Sequence, residues 1–245
     1  MILQITRNGI LNRNVIILFC ILGFSSLKGV SQNVKTINLA EIPQRKVRKY
    51  IASRRIDQMQ DFSSINASWK RNISISDFKV IENTFNLKSG LSNVWESYKH
   101  ADPAKVWNGH LFNLGLVILK STNSVVYTSN SSFPEIGIGQ VYFLNLKLMK
   151  GLFHVPVAFE IINIDNNNHI MEISYIDNNK SLGKQTIQFL DNGNGGTSIV
   201  HRTYFKSESR FRDDFLYPYF HKIFIREYHR KMRRIVKAAK PSVSI

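Results

Sequence analysis

Three histidines are placed where proton chemistry could be done. His201 sits in a β-rich run (TSIVHRTYFK, residues 197–206), His221 in a long amphipathic stretch near the C-terminus, and His154 in a run that reads as another strand. An imidazole in an apolar interior can act as a base or polarise a carbonyl, so convergence of these rings would make an acid–base site. The competing reading is that they are hydrogen-bonded or exposed histidines with no catalytic role. Glu160 and Glu172 stand among apolar residues, and by period two they point opposite to Phe159 and Met171. A carboxylate turned inward would need a partner such as Arg202 or Lys184, because an unpaired buried charge is costly.

Other chemistry finds no support. The histidine spacing matches no metal signature, and there is no GxSxG elbow, phosphate loop or dinucleotide glycine set, so no cofactor is expected. Residues 191–196 (DNGNGG) lack the spaced acidic ligands of a calcium loop and read as a hairpin turn. Cys20 is the one cysteine, which leaves no disulfide or thiolate metal site to a chain that loses its N-terminus.

Elements that would position these groups follow from periodicity. Residues 78–87 form a first strand. Leu91, Val94, Trp95 and Tyr98 then share one face of a short helix, and Asp102-Pro103 opens a second that carries Val106 and Trp107. Seven further β-branched or aromatic runs span 114–120, 124–129, 139–149, 155–164, 169–176, 184–190 and 197–206, separated by short turns rich in Asn, Asp and Gly. Strands joined this closely make an antiparallel meander, and no helix-length segment interrupts them as a parallel sheet would require.

A long helix over 213–239 closes the chain. Leu216, Phe220, Phe224, Tyr228, Met232 and Val236 form its apolar stripe, widened by Ile223 and Ile235, against a face carrying Lys222, Arg226, Arg230, Arg233, Arg234 and Lys237. Pro218 marks either a kink or a helix start at Tyr217.

The N-terminus carries Arg7 and Arg13, an apolar run VIILFCILGF at 15–24 and small residues up to Ser31. This order reads as a cleaved signal peptide (1–31), too short in its apolar part to span a bilayer. Cys20 lies inside the apolar run and not after it, so lipidation is not expected. Residues 32–77 are polar and basic, with KVRKYIASRR at their centre, and read as an arm, partly helical or mobile. The net charge of +16 attracts polyanions. No nucleic-acid motif accompanies it, which leaves acidic glycans or an anionic membrane surface, the latter met by the basic helix face or by the arm, as a second partner. With the Lys, Asn and Ile bias of an AT-rich genome, the expectation is a monomeric, periplasmic or secreted bacterial protein.

Strand, two short helices, meander and long final helix: this order resembles the helix-grip fold of the SRPBCC superfamily, which includes START lipid-transfer domains, birch-pollen-allergen proteins and polyketide cyclases. The segments VWESYKHADPAKVW, GQVYFLNLKLMKGLFHVPVAFEI, ISYIDNNKSLGKQTIQF and GGTSIVHRTYF with the closing helix carry the resemblance over about 78–239, and Gly183 with the Ser207 to Ser209 stretch resembles a poorly characterised subgroup. It implies an α+β fold with a curved antiparallel sheet of about seven strands wrapped on the C-terminal helix, in a domain over 78–240 with a tail at 241–245.

Such a fold implies a ligand pocket between sheet and helix. Its expected lining is Trp95, Tyr98, Trp107, Phe143, Phe153, Phe159, Tyr175, Tyr204, Phe220 and Phe224, residues that plain core packing would also use. Three readings follow. They are a carrier of a hydrophobic small molecule, a cyclase- or hydrolase-type enzyme using His201 and His221, and a non-catalytic interaction protein with a filled core. A connected cavity favours the first.

Overall fold

A computed structural model describes residues 36–70, 73–130, 132–177, 179 and 181–239. The expected signal peptide with Cys20, and the tail at 241–245, lie outside the described residues.

Eight strands form one antiparallel sheet: β1 (Lys79–Leu87), β2 (Phe112–Leu119), β3 (Ser124–Tyr127), β4 (Gln140–Leu148), β5 (Phe153–Asp165), β6 (Ile170–Tyr175), β7 (Leu182–Asp191) and β8 (Thr197–Lys206), in the spatial order β1-β8-β7-β6-β5-β4-β2-β3. Two register shifts, one at Leu114/Leu116 between β2 and β4 and one at Ile161/Asn163 between β5 and β6, add the local bends that let a broad sheet curl. Gly183 is required by contact as well as by backbone. Its φ is +135°, and a Cβ there would collide with the Tyr204 carbonyl oxygen on the neighbouring strand.

Between β1 and β2 come α2 (Leu91–Lys99) and α3 (Pro103–Val106), preceded in the chain by α1 (Arg45–Ser53). Val94, Trp95 and Tyr98 are the buried residues of α2, the face its spacing predicts. In α3, Asp102 accepts a hydrogen bond from the Ala104 N–H at 2.8 Å, and Pro103 occupies the first turn, where its missing N–H costs nothing.

The C-terminal helix α4 (Tyr217–Ala238) follows five π-helical residues, Arg212–Leu216. Pro218 sits in the first turn of α4, and its missing N–H coincides with the change from wide to regular winding. Buried Asp213 ties this start to the end of β8 by accepting from the Ser207 N–H (2.8 Å) and hydroxyl (2.6 Å). Ile225, Tyr228, Met232 and Val236 are buried against the sheet, and the six basic residues of the opposite side are all exposed.

Both faces of the sheet are covered. Inward-facing Leu114, Tyr142, Leu144, Phe159, Met171, Ile173, Ile187 and Ile199 join α2 and α4 in one core. Outward-facing Leu116, Ile118, Val141, Phe143 and Ala158 form a second core with Ile42, Val47, Tyr50, Ile51, Ile56, Phe62 and Ile65.

Residues 36–70 are therefore a packed layer and not a mobile arm. The thin stripe Val47, Tyr50 and Ile51 suffices because it meets a sheet face that is itself apolar. Polar clasps fix the layer: Gln44 donates to the Leu114 carbonyl (3.0 Å), the Asn38 N–H to the Tyr127 hydroxyl (2.7 Å), and the Phe62 N–H to the Asn123 side chain (2.9 Å).

Glu160 also lies on this outer side. Its buried carboxylate receives the Lys120 ammonium at 2.8 Å, and the same ammonium donates to the Ile65 carbonyl at 2.8 Å. Removing the ammonium leaves the carboxylate buried and unpaired. The Lys120→Met variant is expected to lose roughly 3 kcal/mol of unfolding free energy in a urea titration, whereas Lys88→Met on the exposed surface stays within about 0.5 kcal/mol of wild type.

Candidate functional site

The inner face of β8 carries Ile199, His201, Thr203 and Phe205 at alternate positions, and α4 lies across it. Tyr217, His221, Ile225 and His229 succeed one another at steps of four along α4, so its sheet-facing side brings two imidazoles and a phenol to that face. The Tyr217 ring stacks on Phe205 at 4.0 Å, and His221 Nε2 meets the Thr203 hydroxyl at 2.8 Å.

A hydrogen-bonded chain runs beneath the helix. The Tyr98 hydroxyl is 2.8 Å from His229 Nδ1, His229 Nε2 is 2.9 Å from His201 Nδ1, and His201 Nε2 is 2.8 Å from the Gln185 side-chain oxygen. That oxygen can only accept, so His201 Nε2 carries the proton and its Nδ1 accepts from His229 Nε2–H. His229 Nδ1 then accepts from the Tyr98 hydroxyl. The chain runs in one direction, with every member neutral. At its far end the Gln185 amide reaches the Tyr175 hydroxyl at 3.5 Å, and Tyr175 bonds the Tyr217 hydroxyl.

The electrostatics agree. Burial pushes His221 down to about 4 and His229 down to about 3, the latter helped by the Arg233 charge. Burial holds His201 well below the ordinary imidazole range, with the two neighbouring histidines adding to the effect. A second proton on His201, at Nδ1, would also set its N–H against the His229 Nε2–H.

His201 and His221 do share the interior, with ring centres 6.0 Å apart, but the partner bonded to His201 is His229. The histidine spacing that drew attention to His221 left His229 unread, although it lies two helical steps of four further on. Gln185 carried no sequence signal at all, since only the register between β7 and β8 brings it to His201. His154 does not converge with the others. It lies on the outer side of β5, where its Nδ1 is 2.8 Å from the Asn145 amide.

Most of the expected aromatic lining faces the helix. Trp107 stacks on Tyr228 at 4.7 Å and meets Phe159 at 5.3 Å, while Trp95 and Tyr98 pack edge-on against Phe189. Phe159 also stacks on Tyr142, a residue not anticipated. Phe220 and Phe224 are half-buried, and Phe153 is exposed at the start of β5. Phe143 and Tyr204 are corrections. Each has the parity of the outer face, so Phe143 packs edge-on with Tyr50 of α1 and Tyr204 with Trp69. Glu172 is outward too, paired with Lys184 at 2.5 Å.

Side chains fill the space under the C-terminal half of α4. Two clefts lie elsewhere, on the surface. One is beside the β7–β8 turn, lined by Asn86, Asn192 and Gly195, and the other is between His100, Glu135 and Ile164.

Apolar side chains are nonetheless exposed in an uneven way. Because neighbouring strands are antiparallel, β1, β5 and β7 start at the end of the sheet where β4, β6 and β8 finish. Of the twelve large apolar side chains exposed among the described residues, ten lie at that end: Ile75, Val80, Met149, Leu152, Phe153, Leu182, Phe211, Phe215, Leu216 and Tyr219.

The chain is similar in structure to norcoclaurine synthase from Thalictrum flavum, solved in complex with dopamine and hydroxybenzaldehyde, with a TM-score of 0.50 and 15% identity over 71% of this chain and 96% of that one. A protein from Thermus thermophilus (TM-score 0.47, 13% identity, 66% and 99% covered) and major latex-like protein 151 from Panax ginseng (0.47, 12%, 64% and 97%) are also similar. No protein-family model matches the sequence, and no curated protein does. The likeness to norcoclaurine synthase, at 15% identity, shows the fold alone, which is the helix grip that the order of elements led one to expect.

Two measurements test the neutral chain. His221 and His229 have folded-state values below the ordinary 6.5, so the unfolded chain binds more protons between about 4 and 6.5, and stability present above 6.5 is lost as the pH falls. The unfolding free energy is expected to drop by about 1.4 kcal/mol per pH unit for each histidine across that window. The Tyr98→Phe variant leaves His229 Nδ1 buried without a donor and is expected to cost roughly 1–3 kcal/mol at pH 7, read by chemical denaturation.

Proposed function

We propose that this chain, whose fold is the helix grip of the SRPBCC superfamily, is an exported protein that takes up a lipid-like or aromatic small molecule between its sheet and the first turns of α4. The observation that carries this reading is the gradient of burial along the helix stripe. Tyr228, Met232 and Val236 are buried, Phe220 and Phe224 are half-buried, and Leu216 is exposed, with Tyr219 exposed beside it. Beside Tyr217, His221 and Ile225, which seat the first turns on β8, this stripe thus holds apolar side chains that the protein's own packing covers only in part. An apolar molecule lodged under Phe220 and Phe224 would remove that surface from water, at about 25 cal/mol for each Å² covered.

Entry requires the π-helical residues and the first turns of α4 to move, since the interior beneath the rest of the helix is occupied. The aromatic ligands bound by norcoclaurine synthase support a small molecule of this kind. Export rests on the basic, apolar and small-residue order of residues 7–31.

A second reading is favoured by one observation. Trp107, Phe159 and Tyr228 occupy the centre of the grip themselves, as in a module that acts through its surface. A catalytic role for His201 and His221 has less support, because both ring nitrogens of His201 are engaged by protein partners.

Titration with a fluorescent fatty acid in vesicle-free buffer separates the first reading from the second. Ligand uptake is expected to give saturable binding of one probe per chain, weakened about tenfold in Phe220→Ser with an unchanged circular dichroism spectrum. A signal that never saturates, or one that Phe220→Ser leaves untouched, would overturn it.

A further inference from the structure

We propose that the end of the sheet where β4, β6 and β8 finish docks on an anionic phospholipid bilayer. The inference shares exposed Leu216 and Tyr219 with the ligand-uptake reading but is carried by Leu152, Phe153, Phe211 and Phe215, which that reading does not use.

Large apolar side chains exposed singly are ordinary; a collection at one end of a sheet is not. Here Leu152 is 77% exposed and Phe153 58% at the β4–β5 tip, while Phe211 and Phe215 are 63% and 64% exposed on the segment that leads into α4. The turn of the β4–β5 hairpin lies past its neighbours: β5 meets β6 only from Phe159, and β2 flanks β4 as far as Leu146, with the Lys147 N–H on the Leu111 carbonyl, so residues 149–153 extend beyond both. Its tip is therefore free to enter a soft medium ahead of the rest of the domain. Helical residues with aromatic rings and basic neighbours are the other half of an interfacial anchor.

Charge selects the occupant. Three acids at this end are already engaged: Asp214 with Lys79, Asp77 with Lys206 at 3.8 Å, and Asp213 with Ser207. Glu208, which is exposed, and Asp177, which is half-buried after β6, are the exceptions among the described residues. Among the described residues Lys150, Arg210 and Lys222 stand within ion-pair distance of no carboxylate, so the surplus is positive. A second copy of a chain with net charge +16 would bring like charges together on the same patch, whereas anionic head groups complement it.

The two surfaces first expected to meet a membrane fit less well. The apolar stripe of α1 is buried against the sheet, and the basic side of α4 offers charge without apolar residues to insert.

Co-sedimentation of the full chain with phosphatidylglycerol-containing vesicles, and with phosphatidylcholine vesicles, tests the assignment. The protein is expected to pellet with the first and not the second, and to be released by high salt. Each of Phe153→Ser and Phe211→Ser is expected to lower partitioning about tenfold, and Lys150→Glu to lower it further, all with unchanged melting temperature. Fatty-acid binding retained by Phe211→Ser in vesicle-free buffer would separate docking from ligand uptake. Failure to pellet with anionic vesicles would overturn the proposal, as would pelleting that the Phe variants leave unaltered. A concentration-dependent dimer abolished by Phe211→Ser in the absence of vesicles would overturn it in favour of a second copy.

Discussion

The seat of α4 on β8 depends on the satisfaction of buried polar groups. Apolar packing alone would let a helix slide or rotate on a sheet at small cost, since one aliphatic contact replaces another. The chain from Tyr98 through His229 and His201 to Gln185 permits no such exchange, because each displaced partner would leave a donor or acceptor stranded in an apolar interior. It joins α2, α4, β8 and β7, so four elements distant in sequence are held in one register. The His221 contact with Thr203 and the Asp213 contacts with Ser207 repeat the device nearer the start of the helix.

A sheet so gripped has a second face to cover, and the N-terminal layer covers it. Strands β2, β4 and β5 carry apolar residues on both sides, and their outward residues would be exposed without α1 and the rest of the layer at 36–70. The outer side of β6, β7 and β8 is covered less and is polar, with Glu172 on Lys184 and Glu82 on Arg202. Residue chemistry on the outer face thus changes at the limit of the layer above it.

What the fold leaves unpaired is concentrated at one end. The far half of α4 is locked by Trp107 and Tyr228, and the near half begins in a π-helical segment with exposed phenylalanines. A rigid half and a loosely covered half on one helix suit a module that opens at its apolar end, and the basic side chains around that end bias what it meets there.

Much of this could be read from the chain itself. Alternation and four-residue steps are local properties, so the strands, α2, α3 and the long helix were all legible, and with them the α+β helix-grip order. The proline at 218 and the acids at 213 and 214 marked the helix start to within a few residues. Side-chain parity along β5 and β6 placed Glu160 and Glu172 opposite Phe159 and Met171, but which parity faced inward was undetermined, since a strand apolar on both faces looks the same from either side. Phe143 and Tyr204 went to the outer face for that reason. The His229–His201–Gln185 chain and the packed N-terminal layer were also beyond reach. Each depends on the register between elements far apart in sequence, and only the closed tertiary structure sets which neutral nitrogen meets which acceptor.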